Sequence, residues 1–289
     1  NRWSPLLRDP REFLRFVIRS AAMDAPTMPQ RLVSLDVFRG LTIAGMIVVN
    51  DPGSWAHVYA PLRHAEWHGI TPTDFVFPFF VFIVGVSIAL AYSKRRQQGK
   101  SATSMLGKIA WRTVVIFALG LLLWLLPKFD FSALRYPGVL QRIAIVFFAC
   151  SLLYLFTSWR VQAWTCGLLL VGYWALLTLV PVPVDDLIRT ALETGEVRSQ
   201  AGPLEIGSLR ELSESTIAAN LEPATNLAAW IDRQVIPGRL WQYTWDPEGL
   251  LSTLPAIATG ITGLLVGHLL LVVVPTERKI VWLMVAGFA

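Results

Sequence analysis

The segment His64-Ala-Glu-Trp-His-Gly-Ile-Thr-Pro-Thr-Asp74-Phe-Val-Phe-Pro-Phe-Phe-Val-Phe-Ile-Val-Gly85 decides the fold, because a polar loop runs directly into a long apolar stretch. Its first half carries two imidazoles and two carboxylates, and its second half is almost entirely aliphatic or aromatic. Imidazole changes charge near neutral pH, and carboxylates at a low-dielectric border tune that change. The pattern predicts acid/base groups at the mouth of a membrane-spanning helix, which favours a membrane enzyme.

The composition of the whole chain is that of an integral membrane protein. Hydrophobic residues make up 54% of the 289 residues, charged residues 16%, and the mean hydropathy is +0.52. Soluble domains carry about 25% charged residues, and each membrane span needs about 20 mostly apolar residues. We therefore predict an all-α, polytopic bundle of transmembrane helices. The spans are predicted over residues 35–52, 74–93, 108–127, 137–158, 161–182 and 249–274.

Both ends of the sequence suggest a piece of a longer protein. A seventh apolar segment begins at Ile280 and reaches the end of the chain, so we take six spans as a lower bound. Residues 1–30 carry arginines at helical spacing, as in an amphipathic helix on a membrane surface. The alternative is that translation starts at Met23 or Met28 and that the preceding residues are not native. The transmembrane domain is predicted over residues 31–289.

The net charge of +5 does not indicate nucleic-acid binding, because most of the cationic excess lies beside the predicted spans. Membrane insertion and lipid headgroups call for such a distribution. Both cysteines, Cys150 and Cys166, fall inside predicted spans, where a thiol packs as a small apolar side chain. We expect a lipid bilayer as partner, no nucleic acid and chemically inert thiols.

Charge asymmetry between the loops predicts the orientation in the membrane. Cations cluster between the second and third spans, whereas the loop between the first and second spans has Arg63 alone. Cytoplasmic loops are enriched in Lys and Arg, so residues 94–108 are predicted to be cytoplasmic. Alternation then places the N-terminus and residues 158–160 inside, and the loop around His64 and residues 128–136 outside.

A long segment, residues 183–248, separates the fifth and sixth spans and is predicted to lie outside. It contains eleven Asp or Glu residues against five Lys or Arg residues, so positive charge does not hold it in the cytoplasm. Apolar residues recur at helical spacing over 187–192, and residues 226–236 have the pattern of another short amphipathic helix. We predict that this insert caps the outer mouth of the bundle.

The outer rim of the predicted bundle gathers polar and ionisable residues from several elements. Ionisable groups at that depth are costly, so a functional role is the default hypothesis for them. The candidates are Asn50, His64, His68, Asp74, Arg142, Asp246 and Glu248.

Several charged residues also have a purely structural interpretation. Asp36 and Arg39 stand one helical turn apart at the inner end of the first span, which indicates an ion pair. Arg142 could pair with Asp74, which would satisfy both charges during insertion. Asp246 could act only as a helix cap.

The histidines raise a metal site as an alternative. His64 and His68 are four residues apart and His57 lies upstream, but the loop contains Gly69 and Pro72, so the two imidazoles need not share a helical face. The HExxH pattern of zinc proteases is not present in the sequence. We therefore expect no metal. The alternative to a functional role for His57 and His68 is that they are ordinary polar surface residues.

Six motifs occur in a defined order: Arg31-Leu-Val-Ser-Leu-Asp-Val-Phe-Arg-Gly40, Val48-Val-Asn50, His64-Ala-Glu-Trp-His-Gly69, Asp74-Phe-Val-Phe-Pro78, Pro137-Gly-Val-Leu-Gln-Arg142 and Asp246-Pro-Glu-Gly249. Each motif alone is weak, but together they resemble the heparan-α-glucosaminide N-acetyltransferase family from about residue 31 to the end. The sequence of the histidine motif is similar to that of bacterial members of this family. The resemblance implies a multi-pass protein of a bacterial cytoplasmic membrane.

The resemblance also implies an activity: transfer of acetyl from cytosolic acetyl-CoA to the amino group of a terminal glucosamine on the far side of the membrane. The family's catalytic histidine falls on His64, and its asparagine at the end of the first core span falls on Asn50. We expect that the lumenal N-terminal domain, the first span and the last spans of the animal enzymes lie outside the given sequence, and that the loop joining Asn50 to His64 differs in size. We therefore expect an amino sugar of a cell-envelope glycan as acceptor, rather than lysosomal heparan sulfate.

Acetyl transfer to an amine requires a proton acceptor and a group that stabilises the oxyanion. We hypothesise that neutral His64 is the general base, with Asp74 or Glu66 orienting its ring, and that the Asn50 amide donates to the oxyanion. Direct transfer and a covalent acetyl-imidazole on His64 are both compatible with the sequence.

Charged groups on the two sides are predicted to bind the two substrates. The acceptor side comprises Asp246 and Glu248, which attract the cationic amino sugar, together with Arg142 and His68. The cationic candidates for the phosphates of CoA are Arg39, Lys108 and Arg112.

Two other classes of protein stay open at this stage. A transporter or flippase for an envelope sugar would use the same charges to line a path, but the sequence has no internal repeat of the kind typical of transporters. In a structural membrane subunit, the charges would only fix topology. A homodimer and a monomer are both compatible with the sequence.

Overall fold

The computed structural model describes residues 32–127, 129–200, 202–272 and 274–288. Of the described helices, α1–α5 and α8 are long and apolar enough to cross a membrane, which confirms the predicted all-α polytopic bundle. The basic segment 1–30 lies outside the described residues. The helices are α1 (Val33–Asn50), α2 (Val76–Gln97), α3 (Ala102–Leu125), α4 (Val139–Phe156), α5 (Trp159–Leu179), α6 (Asp186–Thr194), α7 (Leu227–Val235), α8 (Thr253–Leu271) and α9 (Thr276–Phe288).

Helices α2 and α8 pack against each other at the centre of the bundle. Gly85 of α2 lies so close to Gly260 and Gly263 of α8 that a methyl group at Gly85 or Gly263 would overlap backbone atoms of the opposite helix. One turn further on, a methyl group at Gly267 would meet the side chain of Ala89. Close van der Waals contact between small residues holds helices together in lipid, where apolar burial alone contributes little. These glycines therefore set the spacing of the bundle.

The remaining spans surround this pair. Helices α4 and α5 pack against α8, α1 packs against α2, and α3 packs against α4. Buried side chains fill the centre, including Val81, Ile109, Val146, Ile261 and Leu264. The outward faces are apolar and exposed, as at Trp111, Trp164, Leu168 and Val171. Such faces suit a hydrocarbon environment, since every backbone polar group is satisfied inside its helix.

The insert between α5 and α8 is a small mixed layer. Its two helices, α6 and α7, confirm the two amphipathic helices predicted over 187–192 and 226–236. Its strands were not predicted, because each has only two to four residues. They are β1 (Val182–Pro183), β2 (Glu196–Ser199), β3 (Gly202–Glu205), β4 (Glu211–Ser213) and β5 (Thr216–Ile217). They form the sheets β1-β5-β4 and β2-β3, both antiparallel, in which Val182 faces Ile217 and Val197 faces Leu204.

An apolar cluster seats the insert on the bundle. Leu177 near the end of α5 packs with Val182, Ile188, Ile217 and Leu227 of the insert. All five side chains are at least nine-tenths buried. The insert is therefore packed directly onto the helices that enter and leave it.

Three segments meet at this end of the bundle, which we call the insert end. The indole Nε1 of Trp67, in the loop of residues 51–75 (the His64 loop), donates to the carbonyl of Leu221 in the insert at 2.6 Å. Arg135, in the loop after α3, pairs with Asp246 at the end of the insert. The opposite, basic end carries the cations of residues 94–108. This grouping of loops is the one that the charge asymmetry predicts.

Candidate active site

His64 is held by a carboxylate at the start of α2. A short 3₁₀ turn, Pro72–Phe75, precedes α2, and Thr71 and Asp74 form a reciprocal capping box around it. Such a box satisfies backbone N–H groups that the first turn of a helix leaves without partners. The box fixes the Asp74 carboxylate, whose Oδ1 lies 2.7 Å from Nδ1 of His64.

The second oxygen of Asp74 anchors the backbone of the same loop. Asp74 Oδ2 accepts hydrogen bonds from the amides of Ala65 (3.3 Å) and Thr71 (2.8 Å) and from the Thr71 hydroxyl (3.0 Å). The Thr71 hydroxyl also contacts the Arg63 carbonyl at 2.7 Å. Both oxygens of the carboxylate are therefore engaged, and the loop on either side of His64 is fixed to it.

This arrangement prepares His64 to accept a proton. An ionised carboxylate accepts from Nδ1–H, and this hydrogen bond leaves Nε2 as the basic nitrogen of a neutral imidazole. The side chain of His64 is 59% exposed, so Nε2 is open to a reactant. Of the two carboxylates that the sequence offered as the orienting group, Asp74 occupies that position, whereas Glu66 is exposed.

Asn50 lies at the last turn of α1, at the same end of the bundle. Its side-chain nitrogen donates to the carbonyl of Met46 at 2.9 Å, and the residue is exposed. A side-chain amide has two N–H donors, so this bond leaves one donor free. Among the described residues, the hydrogen bonds do not join Asn50 to His64.

A cavity of about 370 Å³, the insert cavity, opens where the His64 loop meets the insert and the ends of α5 and α8. His68 and Asp246 are among its lining residues, as is Ser252, but His64 is not. His64 precedes two lining residues, Trp67 and His68, by three and four positions in the same loop. The polar and aromatic wall of the insert cavity includes Trp67, His68, Tyr173, Asn226, Asp232 and Trp245.

Asp246 and Glu248 form a buried ion cluster with Arg135. The Arg135 guanidinium donates to Asp246 Oδ2 at 2.8 Å and Oδ1 at 2.5 Å, and to Glu248. Burial alone would lower the pKa of Arg135, but its bonds and charge interactions with both acids outweigh burial and raise it. Asp246 also accepts from the amides of Trp241 and Glu248, and its side chain is fully buried. Attraction of the acceptor by these two acids stays a prediction; the observed contacts are structural.

Arg142 does not pair with Asp74, so that alternative was wrong. Its guanidinium donates to the Pro247 carbonyl at 2.6 Å and the Ser252 hydroxyl at 2.5 Å, and its Nε is buried without a partner among the described residues. Pro247 and Ser252 both line the insert cavity. Arg142 therefore supports one wall of the cavity by holding the turn that leads into α8.

Two neighbouring cavities, which share Tyr92 and Arg112, lie toward the basic end. One, of about 310 Å³, is mainly apolar and is lined by Arg39, Ser87, Tyr92 and Arg112 among others. The other, of about 380 Å³, shares Tyr92 and Arg112 and adds Lys108. Arg39 bonds Asp36 at 3.0 Å, which confirms the predicted ion pair, and reaches Ser87 at 2.9 Å. The three predicted phosphate-binding cations therefore line these cavities.

Comparison with known proteins identifies the family. The family model "Heparan-alpha-glucosaminide N-acetyltransferase, catalytic" matches residues 31–194, more than half of the chain. The chain belongs to this acetyltransferase family. It is 31% identical over 293 residues to heparan-alpha-glucosaminide N-acetyltransferase of Homo sapiens and 30% identical over 279 residues to that of Mus musculus. These alignments cover 88% and 83% of this chain but 41% and 39% of the relatives, so the chain spans about two fifths of their length.

The family match covers one part of the candidate site and not the other. His64, Asp74, Asn50 and the three cations of the basic cavities lie within residues 31–194. Most of the insert-cavity wall, from Leu221 to Ser252, lies beyond the matched range. Within the described residues, no group of three or more His, Cys, Asp or Glu side chains is arranged to hold a metal ion.

Sequence reasoning missed two residues of this acetyltransferase-family site. Arg135 lies in a short loop that is predicted to be outside, where the positive-inside rule disfavours arginine, and that anomaly was the available signal. Asp232 follows Ala228 by one helical turn and lies on the same buried face of α7. A carboxylate on an apolar face is rarely buried without a reason, and this pattern could have singled it out.

Proposed function

We propose that this protein is a transmembrane acetyltransferase that moves acetyl from cytosolic acetyl-CoA to the amino group of a glucosamine-type sugar on the opposite side. The observation that carries the proposal is the His64–Asp74 pair, held at 2.7 Å in a chain of an N-acetyltransferase family, in the same loop as two residues that line the insert cavity. An imidazole oriented by a carboxylate is a common general base. Acetyl transfer to an amine requires such a base.

In the proposed reaction, the amino group must first lose the proton that makes it an ammonium ion. Nε2 of His64 accepts this proton, and the neutral amine attacks the thioester carbonyl. The C–N bond forms and the C–S bond breaks as the tetrahedral intermediate collapses. The leaving thiolate takes up one proton, and the second proton of the ammonium passes through His64 to solvent. Asp74 stabilises the imidazolium that forms in the first step.

Asn50 is the proposed donor to the oxyanion of the tetrahedral intermediate. One of its two amide N–H groups bonds the Met46 carbonyl, which fixes the side chain to the last turn of α1. The other N–H is then the donor that would meet the developing negative charge. A preorganised donor of this kind contributes about 3 kcal/mol to lowering the barrier.

The basic end is the proposed entry for the donor. Arg112 and Lys108 line one cavity and Arg39 joins Arg112 in the next, so cations and an apolar wall follow one another along α2. This sequence of surfaces matches the charged phosphates and the less polar arm of acetyl-CoA. The positive-inside rule assigns this end to the cytoplasm.

The proposed acceptor is an amino sugar of a cell-envelope glycan, and the proposed location is a bacterial cytoplasmic membrane. The first test incubates the purified protein with labelled acetyl-CoA and glucosamine and identifies N-acetylglucosamine by mass spectrometry. Formation of that product, dependent on protein, supports the proposal. Uptake of unmodified glucosamine into vesicles, with no acetylated product, would instead support a transporter.

The same mixture without sugar distinguishes the two chemical routes. A covalent route leaves acetyl on the His64 imidazole, which peptide mass spectrometry detects after rapid quenching. Direct transfer leaves His64 unmodified in that sample, with normal product once glucosamine is added.

A further inference from the structure

Asp232 is a buried carboxylate at the wall of the insert cavity. The residue is 1% exposed, and its Oδ1 accepts one hydrogen bond, from the Leu250 amide at 2.9 Å. Its carboxylate lies so close to Gly249 that a side chain there would collide with it. Among the described residues, Asp232 forms no salt bridge, although buried acids are almost always paired.

The other acid that lines the cavity, Asp246, is already paired. Asp246 and Glu248 share Arg135, and Asp185 pairs with Arg233 at 2.8 Å. Desolvation of an ionised carboxylate is costly unless a counter-ion or donors compensate it. Asp232 is therefore the acid of this cavity that has room for a cation supplied by a ligand.

Aromatic side chains line the same cavity as Asp232. The rings of Trp67 and Trp245 meet edge to face with centroids 4.9 Å apart, and Tyr173 lines the same cavity. The indole Nε1 of Trp245 is buried without a hydrogen-bond partner among the described residues. An unpaired buried donor costs free energy, and a ligand hydroxyl would satisfy it. Aromatic faces also attract cations directly.

We propose that the insert cavity binds the cationic, unacetylated form of an amino sugar, with Asp232 as the counter-ion of the ammonium group and Trp245 Nε1 as a donor to a ring hydroxyl. This assignment rests on the proposed function and names its acceptor site. A volume of about 370 Å³ lies within the usual range for small-ligand pockets.

The site would also release its product. Acetylation converts the ammonium into a neutral amide, so the ion pair with Asp232 is lost when the reaction is complete. Binding energy then favours the substrate over the product at the same position. The cavity therefore distinguishes glucosamine from N-acetylglucosamine by charge rather than by shape.

The charge on Asp232 gives this binding a pH dependence. Burial raises the pKa of Asp232 to about 6, although the Leu250 amide opposes that shift. The carboxylate is therefore ionised above about pH 6 and loses its charge below it. Affinity for glucosamine should fall as the pH drops from 7 to 5, since the sugar itself stays protonated. The charged or titratable groups around Asp232 are His68, Arg142, Tyr173, Arg233 and Asp246.

Equilibrium binding to the purified protein without acetyl-CoA tests the assignment, with glucosamine and N-acetylglucosamine as probes. In Asp232→Asn, the amide oxygen can still accept from Leu250 but the charge is gone. Glucosamine should bind about tenfold more weakly to this variant, as expected for one lost charge-assisted hydrogen bond, and its pH dependence should disappear. N-Acetylglucosamine binding should change little. Asp186→Asn, an exposed charge change on the same insert, is the matched control.

Unchanged glucosamine binding by Asp232→Asn, or no glucosamine binding by the wild type at pH 7, would overturn the assignment. The proposed function would survive either result if acetyl transfer were still observed, and would fail separately if no transfer occurred. Should Asp232→Asn not fold, Trp245→Phe and a pH series on the wild type decide: Trp245→Phe should weaken both sugars, and low pH should weaken glucosamine alone. A pH series on His68→Gln checks that the effect does not come from His68.

Discussion

The two ends of the bundle differ in how their charged side chains are paired. At the insert end, arginines and acids neutralise each other in buried pairs, Arg135 with Asp246 and Arg233 with Asp185. At the basic end, the cavity linings contain arginines and a lysine but no acid, and Arg39 pairs with Asp36, which lies outside the linings. The insert end is thus a fixed structure in which Asp232 is a buried carboxylate outside these ion pairs. The basic end is a surface suited to anions.

This difference matches the two substrates of the proposed reaction. A donor with several phosphates binds by long-range attraction to cations that need no fixed partner. An amine acceptor must be held and deprotonated at a defined place, which requires a preorganised site.

Replacement of the proposed base gives the largest effect. His64→Ala should lower acetyl transfer about 10²- to 10⁴-fold, because general-base catalysis contributes on that scale. Activity is measured with labelled acetyl-CoA and glucosamine on protein that has retained its elution profile. His57→Ala, which changes a second histidine of the same loop, should stay near wild type. Wild-type transfer by His64→Ala would remove this histidine from the mechanism.

Loss of the oxyanion donor comes next. Asn50→Ala should reduce kcat roughly a hundredfold, the equivalent of about 3 kcal/mol, and leave the KM for the sugar nearly constant. Steady-state kinetics with varied sugar separates the two constants, and Asp51→Ala serves as the neighbouring control. If the sugar KM rises while kcat stays constant, Asn50 contributes to binding and not to the oxyanion.

The paired charges of the insert end should matter for stability. Arg135→Ala leaves Asp246 buried without its counter-ion, a change that costs about 3–5 kcal/mol. We expect a clear drop in the thermal unfolding midpoint of the detergent-solubilised protein, whereas exposed Arg210→Ala should change stability by about 0.5 kcal/mol or less. Equal midpoints for the two variants would show that the ion cluster does not hold the insert.

A single cation at the basic end should have the smallest effect. Arg112→Gln removes one charge that has an aromatic contact, with Phe147 at 5.2 Å, rather than an acid partner in the cavity lining. The KM for acetyl-CoA should rise about tenfold, with kcat and the KM for the sugar nearly unchanged. Lys100→Gln tests whether any cation of this end has the same effect. A higher sugar KM in Arg112→Gln would contradict the assignment of the two ends.

The sequence predicted the spans because the bilayer imposes a length and a polarity on each of them. It also brought His64 and Asp74 into one hypothesis, since only a short loop separates them. Both amphipathic helices of the insert were predicted for the same reason: their pattern is local. The family motifs then agreed with the loop grouping that charge alone had suggested.

Long-range pairings were beyond the sequence. Arg135 and Asp246 are separated by 111 positions, and neither residue carries a local signal of its partner. Spacing could not show that Arg142 bonds to the turn before α8 instead of pairing with Asp74. The pattern of α7 could have marked Asp232 as a buried carboxylate, but its place in the wall of the insert cavity is visible only in the structure. The strands of the insert are too short for an alternating pattern to emerge.

Sealed vesicles of defined orientation test the central claim, acetyl transfer across the membrane between the two ends. Labelled acetyl-CoA is supplied on one side and glucosamine on the other, with neither able to cross unaided. We expect labelled N-acetylglucosamine only when acetyl-CoA faces the basic end and the sugar faces the insert end. Equal product with the two reagents exchanged, or product only when both are on the same side, would contradict it.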